Sequence, residues 1–238
     1  MKLKKLATVT ALAAALVGFG SPAQATGVNP LPIGLALVLD ESGSISNADW
    51  LLQRDAYASV LNSNLIGIDG SLVIGVWKFA AGVEQVFAPT LINSQQDKDD
   101  LVDAIEAMVR VNTGATSIGD AVNAATAGLV NFGLGGLEKA VIDVSTDGGN
   151  NNGANPTTAS NNALAAGIAA VNCLGVGGNA DCTWNPASSL DFAAANFADF
   201  EAILAKKIAT ETDQIPEPAT LILMSLGLLG LSATRRKA

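Results

Sequence analysis

The chain has 238 residues, of which 49% are apolar and 15% are charged, and none is histidine. This length suits one domain of ordinary size with additional segments at its ends. The 22 acidic and 13 basic residues give a net charge of −9, which repels nucleic acid and excludes nucleic-acid binding. The absence of histidine removes the most common general base and any Ser-His-Asp triad.

The first 25 residues have the pattern of a secretory signal peptide. Lysines within residues 2–5 precede an apolar core at 6–19, and the small-residue cleavage pattern Ala-Gln-Ala follows at 23–25. We therefore expect the mature chain to begin at Thr26. The alternative is an uncleaved membrane anchor, but the core is shorter than the roughly 20 residues that a membrane-spanning helix needs.

Apolar strands alternate with amphipathic helices after a lead at residues 26–32. The predicted strands are 33–39, 72–80, 83–88, 137–145 and 171–176. The predicted helices are 47–61, 94–109, 117–132, 157–170 and 197–209. Because fully apolar strands separated by helices are typical of parallel sheets covered on both faces, we predict an α/β domain over residues 33–210. It would be three-layered and doubly wound, with a mostly parallel central sheet and one antiparallel edge strand from the close pair 72–80 and 83–88.

Cys173 and Cys182 are the two cysteines of the chain. An even number of cysteines in an exported protein predicts a disulfide, here one that closes a small glycine-rich loop. A two-thiol metal site is the alternative. It lacks the histidines that would complete a set of soft ligands.

A short linker, residues 211–215, leads to a distinctive C-terminal segment, residues 216–238. This segment begins with Pro-Glu-Pro-Ala-Thr, continues with an uncharged leucine-rich run at 219–234 and ends with Arg-Arg-Lys at 235–237. An apolar run followed by basic residues is a membrane-retention pattern whose positive end stays in the cytoplasm. The three parts in this order resemble the PEP-CTERM sorting signal of Gram-negative bacteria.

That resemblance implies transient insertion into the inner membrane through the C-terminal helix. It also implies processing by a membrane-embedded exosortase near the Pro-Glu-Pro sequence. The protein is then expected in the periplasm, at the cell surface or outside the cell. Without its two ends the chain keeps seven basic and 21 acidic residues in 26–215, a net charge of −14, which favours solubility and attracts cations.

Three polar loops are expected at one edge of the predicted sheet. The first, residues 40–44, has the sequence Asp-Glu-Ser-Gly-Ser and follows the first strand; the second, residues 114–119, is Gly-Ala-Thr-Ser-Ile-Gly and opens a helix. The third, residues 146–148, is Thr-Asp-Gly and follows the strand 137–145. Ligands of doubly wound folds bind at the carboxyl ends of strands. Hydroxyl and carboxylate oxygens favour Mg²⁺, with Ca²⁺ or Mn²⁺ as alternatives, over zinc or copper.

Asp-x-Ser-x-Ser, Gly-x-Thr-x-x-Gly and Asp-Gly in this order resemble the metal ion-dependent adhesion site of von Willebrand factor type A domains. The resemblance implies that Ser42, Ser44 and Thr116 contact the metal directly. It implies that Asp40 and Asp147 act mainly through bound waters and by orienting the serine hydroxyls. Each piece alone also fits a helix N-cap or a tight turn, and it is the combination that predicts a site.

Two details depart from the commonest form of this motif. Glu41 occupies the variable position, where we expect it to add charge near the ion, and Ser117 and Ile118 follow the metal threonine instead of Asn-Thr. Thr113 is a nearby rival for Thr116, although its spacing to Gly119 fits less well. Neither departure removes a ligand.

These patterns predict a binding module and not an enzyme. A protein or extracellular polysaccharide partner would offer an acidic group to the divalent cation, at the cell surface or in an extracellular matrix. One alternative is a structural matrix or scaffold domain whose metal only stabilises the loops. The other is a metal-dependent hydrolase that uses Asp40 and Asp147, but the sequence shows neither an activated nucleophile nor a basic clamp for a phosphate, Lys139 being the nearest lysine to any of the loops.

Overall fold

The structure, a computed structural model, describes residues 30–111 and 113–212. The predicted signal peptide, most of the linker and the C-terminal apolar run lie outside these residues. Within the described ranges, no helix has the length and apolar character needed to cross a membrane.

The described part of the chain alternates strands with helices. The strands are β1 (Ile33–Asp40), β2 (Leu72–Phe79), β3 (Val83–Leu91), β4 (Lys139–Thr146), β5 (Ala170–Val176) and β6 (Asp191–Ala194). The helices are α1 (Asn47–Asn62), α2 (Gln95–Glu106), α3 (Ile118–Phe132), α4 (Pro156–Ala165) and α5 (Phe200–Glu211). A short 3₁₀ turn, Leu134–Gly136, precedes β4.

All six strands form one sheet in the order β3-β2-β1-β4-β5-β6. Every neighbouring pair is parallel except β2 and β3, which are antiparallel and place β3 at one edge. The predicted three-layer α/β fold with one antiparallel edge strand is therefore confirmed. Because β1 lies in the middle of the parallel strands, its carboxyl end is flanked by those of β2 and β4.

Two apolar cores cover the two faces of the sheet. The alternation of side chains along β1 sends Leu35, Leu37 and Leu39 into one core and Ala36 and Val38 into the other. The first core also contains the buried faces of α1, α2 and α5, and the second contains those of α3 and α4. Burial on both faces explains why β1 and β2 are mostly apolar with so little alternation in sequence.

Several predicted boundaries were wrong. Strand β3 continues to Leu91 instead of Ala88, and α5 begins at Phe200 instead of Phe197 and continues to Glu211, one residue into the predicted linker. Strand β6 was not predicted. It has only four residues, of which the first is the exposed Asp191, and it pairs with β5 through contacts distant in sequence.

Helix α4 ends at Ala165, five residues before the predicted end. Gly167 has a φ of +102°, and the amides of Gly167 and Ile168 return to the carbonyls of Leu164 and Ala163 at 3.0 and 3.1 Å. This is a Schellman ending, in which a glycine in the left-handed region stops the helix. The chain then enters β5 at Ala170.

The structure joins Cys173 and Cys182 in a disulfide, with 5.8 Å between their Cα atoms. Cys173 lies in β5, and Cys182 lies in the loop that leads towards β6. The predicted disulfide is confirmed, and the alternative of a two-thiol metal site is thereby removed.

Candidate metal centre

Two of the predicted polar loops leave the sheet from neighbouring parallel strands. Leu39 of β1 pairs with Ser145 of β4, so the next residues, Asp40 and Thr146, end their strands side by side. Asp147 follows directly. Because both strands run in the same direction, the two loops begin at the same edge of the sheet.

A continuous hydrogen-bond network connects four of the five predicted site residues. Asp40 accepts from the backbone N–H of Ser42 through Oδ1 at 2.7 Å. The Oγ atoms of Ser42 and Ser44 are 3.2 Å apart, and Ser44 Oγ donates to Asp147 Oδ1 at 2.6 Å. The structure therefore brings together residues separated by about a hundred positions in sequence. Ser44 is exposed, so the network is open to solvent on that side.

Thr116, the fifth predicted residue, lies in a loop that bonds to the first loop and to the segment that follows the third. Gly43 N–H donates to the carbonyl of Gly114 at 2.9 Å, next to the candidate ligands of the first loop. Thr116 itself donates its N–H to Asn151 Oδ1 at 2.8 Å and accepts from the backbone N–H of Asn151 at 3.0 Å. Among the described residues, no direct hydrogen bond joins the Thr116 hydroxyl to the other four site residues.

Burial raises the pKa of Asp40 to about 6. Hydrogen bonds from Ser42 and Thr146 act in the opposite direction, and the nearby carboxylate of Asp147 adds to the increase. The side chain is fully buried, so its negative charge is poorly compensated by solvent. A positive ion beside it would favour the charged form.

The donor set fits a hard divalent cation. It consists of hydroxyl and carboxylate oxygens, which suit Mg²⁺, Ca²⁺ or Mn²⁺. Two neighbouring ligands at about 2.1 Å from an octahedral Mg²⁺ lie about 3.0 Å apart, close to the 3.2 Å between the two serine Oγ atoms. Within residues 30–111 and 113–212 no three acidic or thiol side chains gather into a metal site, so a site here depends on the hydroxyls.

Sequence reasoning missed residues that support these loops. Thr146 donates from Oγ1 to Asp40 Oδ2 at 2.7 Å, and Gln53 of α1 donates from Nε2 to the carbonyl of Asp40 at 2.8 Å. Arg110 donates to the carbonyls of Glu41 and Ser42 at 3.0 and 2.5 Å. Thr146 directly precedes Asp147 and was therefore visible in the sequence, whereas Gln53 and Arg110 come from helices or loops that only the fold brings near.

Glu41, which we expect to add charge near the ion, is paired with a buried lysine in the structure. Its side chain is 1% exposed and lies 3.2 Å from the ammonium group of Lys78, which is also buried. The same carboxylate accepts from the backbone N–H of Val111 at 3.3 Å. Lys78 therefore compensates the charge of Glu41, and the ion pair lies buried behind the first loop.

The sheet order, the antiparallel edge strand and the position of the three loops are those of the von Willebrand factor type A fold. A sequence model of one family matches residues 31–216. The chain belongs to this family, which is described as "Protein of unknown function (DUF1194)". A second model, the PEP-CTERM protein-sorting motif, matches residues 214–237. This signal indicates export, a surface or extracellular location and processing by an exosortase.

Solved structures of low sequence identity share the fold. Proximal thread matrix protein 1 from the mussel byssus is 23% identical with a TM-score of 0.64, and the match covers 75% of this chain and 48% of that one. BatB from Bacteroides thetaiotaomicron is 18% identical with a TM-score of 0.59, over 76% of this chain and 99% of that one. A von Willebrand factor type A protein from Catenulispora acidiphila is 13% identical with a TM-score of 0.61, over 76% and 43%.

The chain thus spans about half the length of the mussel protein that it matches. One structure of that mussel protein is described as having a zinc-occupied MIDAS motif, which is the metal ion-dependent adhesion site, and it is 20% identical to this chain. No curated protein matches the sequence.

Proposed function

We propose that this protein is an exported binding module that holds an acidic group of a protein or matrix partner through a divalent cation, Mg²⁺ in the first place. The observation that carries the proposal is the hydrogen-bonded chain Asp40–Ser42–Ser44–Asp147 at the carboxyl ends of β1 and β4. Its open side at Ser44 leaves room for an incoming group. The adhesion site in the mussel relative and the sorting signal of this chain support the same function.

Each site residue has a distinct part in this proposal. Ser42, Ser44 and Thr116 offer neutral hydroxyl oxygens to the ion. Asp40 and Asp147 hold the serine groups by the hydrogen bonds described above and compensate part of the ion's charge. Neutral direct ligands leave the cation only partly compensated, so a carboxylate from outside is attracted to it. A bound metal would supply this electrostatic attraction and no bond-breaking chemistry.

A structural matrix domain with a stabilising metal is the second candidate function, and the tightly cross-linked loops favour it. The first two loops are already joined by the backbone hydrogen bond from Gly43 to Gly114, and Asn151, three residues after the third loop, donates to the carbonyl of Thr116. In that case the metal would add thermal stability without exposing a coordination position to a partner. The structural likeness to a protein described as a thread matrix protein supports either non-enzymatic role.

Magnesium titration calorimetry on a Ser42→Ala plus Ser44→Ala variant tests the site. Removal of two hydroxyl ligands is expected to weaken Mg²⁺ binding at least a hundredfold while the circular dichroism spectrum stays native. Ser188→Ala is the matched control, because Ser188 is exposed in the loop before β6. Unchanged affinity in the double variant would contradict the proposed site.

Capture of a partner separates the two functions. The mature protein is incubated with cell-surface extract with and without EDTA. Loss of capture on chelation supports adhesion through the metal. Unchanged capture together with a lower melting temperature in EDTA supports the purely structural metal.

A further inference from the structure

A buried cluster of charged side chains lies between β4 and α5, apart from the candidate metal loops. Asp143 is in the middle of β4, and Lys207 and Glu211 lie one helical turn apart on α5. The side chains of all three residues are fully buried. Lys207 donates from Nζ to Asp143 Oδ1 in a direct contact and to Glu211 Oε1 at 2.8 Å. One amine therefore meets two carboxylates in a place that solvent does not reach.

Hydrogen bonds leave this cluster incompletely compensated. Among the described residues, Asp143 Oδ2 and Glu211 Oε2 are buried and have no hydrogen-bond partner. A buried ion pair offsets the cost of leaving water only when its remaining hydrogen bonds are made. Two carboxylates against one ammonium group also leave an excess of negative charge. An uncharged linkage in place of the ion pair would remove two buried charges and one carboxylate oxygen.

Two other buried lysines have different surroundings. Lys98 is 6% exposed and donates to two backbone carbonyls, which already belong to amides. Lys78 is 3% exposed and pairs with Glu41 and with Glu84, whose side chain is 54% exposed and so stays hydrated. The amine of Lys207 instead has two fully buried carboxylate neighbours. A condensation of amine and carboxyl group is therefore favoured at Lys207.

Asn172 of β5 holds Glu211 beside the amine. It is the neighbour of Asp143 in the register of β4 and β5. Its side chain donates from Nδ2 to Glu211 Oε1 at 2.7 Å and accepts through Oδ1 from the N–H of Leu190 at 2.8 Å. Glu211 Oε1 thus has a fixed position between the amide of Asn172 and the amine of Lys207. Asp143 is the carboxyl group that is placed for attack by the amine.

We propose that Lys207 and Asp143 condense into an intramolecular isopeptide bond between Nζ and Cγ, with Glu211 as the catalytic residue that transfers a proton. The only other product is water, so the reaction needs no further reagent. The bond is a cross-link from the centre of the sheet to α5, the helix that leads towards the sorting signal. A pull on the C-terminal end is then carried by β4 and does not peel α5 away from the domain.

The proton balance of this reaction involves the three side chains alone. Lys207 passes one proton to Asp143 across their contact, which leaves a neutral amine and a neutral carboxylic acid. The lone pair of Nζ forms a bond to Cγ, and Glu211 takes a second proton from Nζ. Glu211 returns this proton to a hydroxyl group on Cγ, the C–O bond breaks and water leaves. One N–H remains on the new amide, and Glu211 is ionised as before.

Burial and proximity favour the reaction. The fixed contact replaces an encounter between separate molecules, and the buried site excludes the water that would hydrolyse the product. Burial raises the pKa of Glu211 to about 7, which suits a group that accepts and then returns a proton near neutral pH. Burial lowers the pKa of Lys207, but the two carboxylates raise it above its ordinary value. Because the neutral amine is then a minor species, we expect the bond to form slowly after folding.

Mass spectrometry of the purified mature protein, reduced to open its disulfide, tests the proposal. The expected mass is that of the sequence less one water molecule, and the fraction with this mass grows while the folded protein is incubated. Cleavage after glutamate separates residues 139–201, with Asp143, from residues 202–211, with Lys207. The two peptides are expected to appear as one linked species. An unchanged full mass, or two separate peptides, would overturn the proposal.

Other dehydrations are distinguished by the linked peptides. The Asp-Gly pairs at 69–70 and 147–148 also lose water when they cyclise to succinimides, but that loss stays within a single peptide. A link through the side-chain amide of Asn172 would release ammonia in place of water. Either result without the link between Asp143 and Lys207 contradicts the proposal.

Variants test the part of each group. Lys207→Met is expected to abolish the loss of water, and Glu211→Gln is expected to slow it roughly a hundredfold, since glutamine transfers no proton. Lys206→Met is the matched control, because Lys206 is the exposed neighbour of Lys207 on α5, and it keeps the wild-type rate. Loss of water and peptide linkage in Lys207→Met would exclude the bond, and a wild-type rate in Glu211→Gln would exclude its catalytic role. The wild-type mass decides the proposal even if a variant does not fold.

Discussion

Gly43 is the point at which two of the three candidate metal loops touch. A Cβ atom at this position would lie 2.7 Å from the carbonyl oxygen of Thr113 and 3.3 Å from that of Gly114. Both contacts are with backbone, which cannot rotate away. The side chain of any other residue would therefore push the second loop, with Thr116, away from the serines of the first.

Gly43→Ala is expected to weaken Mg²⁺ binding at least tenfold, about 1.4 kcal/mol, with little loss of global stability because the cores are untouched. Titration calorimetry and thermal unfolding measure the two effects. Gly82→Ala is the control, since a Cβ there meets nothing within 4 Å. Equal Mg²⁺ affinities of the wild type and Gly43→Ala would show that the loops need no close approach.

A second group of charged side chains lies deep between β4 and α5. Lys207 donates to Asp143 and to Glu211, and Asn172 donates to Glu211 at 2.7 Å. Burial raises the pKa of Glu211 to about 7, and the neighbouring Asp143 adds to the increase, while Lys207 opposes it. Burial lowers the pKa of Lys207, but Asp143 and Glu211 outweigh it and leave the pKa raised.

Glu211 therefore makes stability depend on pH. Between its ordinary value of 4.5 and about 7, the folded protein keeps a proton that the unfolded chain releases, so the free energy of unfolding falls as pH rises through this window. Glu211→Gln removes the titration. The melting temperature of the variant minus that of the wild type is expected to be larger at pH 8 than at pH 5. Glu106→Gln, at an exposed position of α2, is the control; a variant-to-wild-type difference that does not change with pH contradicts the assignment.

Sequence patterns identified the candidate metal ligands but not the residues that hold their loops in place. The Asp-x-Ser-x-Ser and Thr-Asp-Gly segments name their residues directly, because each is contiguous and follows an apolar strand. Arg110 could not be assigned in this way, since the position of its guanidinium depends on the backbone bonds of Val109 and Val111 to Lys78 and Glu41. Helix α2 ends at Glu106, whereas helical periodicity alone continued the prediction to Val109.

At the scale of elements, the disulfide supports the third metal loop. The chain from Cys173 to Cys182 returns over the end of β5, where Asp181 N–H donates to the carbonyl of Gly148 at 3.2 Å. The indole N–H of Trp184 in turn donates to the carbonyl of Asp181 at 2.5 Å. The disulfide-closed loop is thus fixed against the residue that follows Asp147.

Cys173→Ser plus Cys182→Ser removes the cross-link and is expected to lower the free energy of unfolding. The expected loss is only roughly 2–3 kcal/mol, because a short closed loop restricts the unfolded chain less than a long one. Mg²⁺ affinity is expected to fall as well, as Asp181 no longer restrains Gly148. Urea denaturation and calorimetry measure these changes. A reducing agent should weaken the wild type in the same way and leave the double variant unchanged; full Mg²⁺ affinity in the variant would separate the disulfide from the metal loop.

The limits of element prediction have a common physical origin. Strand β1, which is apolar from Ile33 to Leu39, was found because burial on both faces leaves a strong compositional pattern. Strand β6 has an exposed first residue and pairs along its length with β5 alone, so its formation depends on a partner 18 residues earlier. Local composition contains no such information.

At the scale of the whole molecule, the folded domain and the sorting signal are very close in sequence. Thr212 is 3% exposed and bonds to the carbonyl of Ile208 at 2.9 Å, so it belongs to the domain. The Pro-Glu-Pro sequence begins at Pro216. Four peptide steps span at most about 14 Å even when fully extended. We propose that the exosortase cuts near Pro216 and therefore works with the domain held almost against it.

Insertion of six residues, Gly-Ser-Gly-Ser-Gly-Ser, between Asp213 and Gln214 tests this steric limit. The insertion adds up to about 20 Å of reach and leaves both the domain and the sorting signal intact, so removal of the C-terminal segment is expected to become faster. Pulse-chase labelling with an antibody against the domain measures the ratio of full-length to processed protein. Replacement of Pro216-Glu217-Pro218 by alanines provides the unprocessed reference. Unchanged processing of the lengthened chain would mean that the domain is no obstacle, and slower processing would mean that the enzyme uses the domain at its natural distance as a specificity contact.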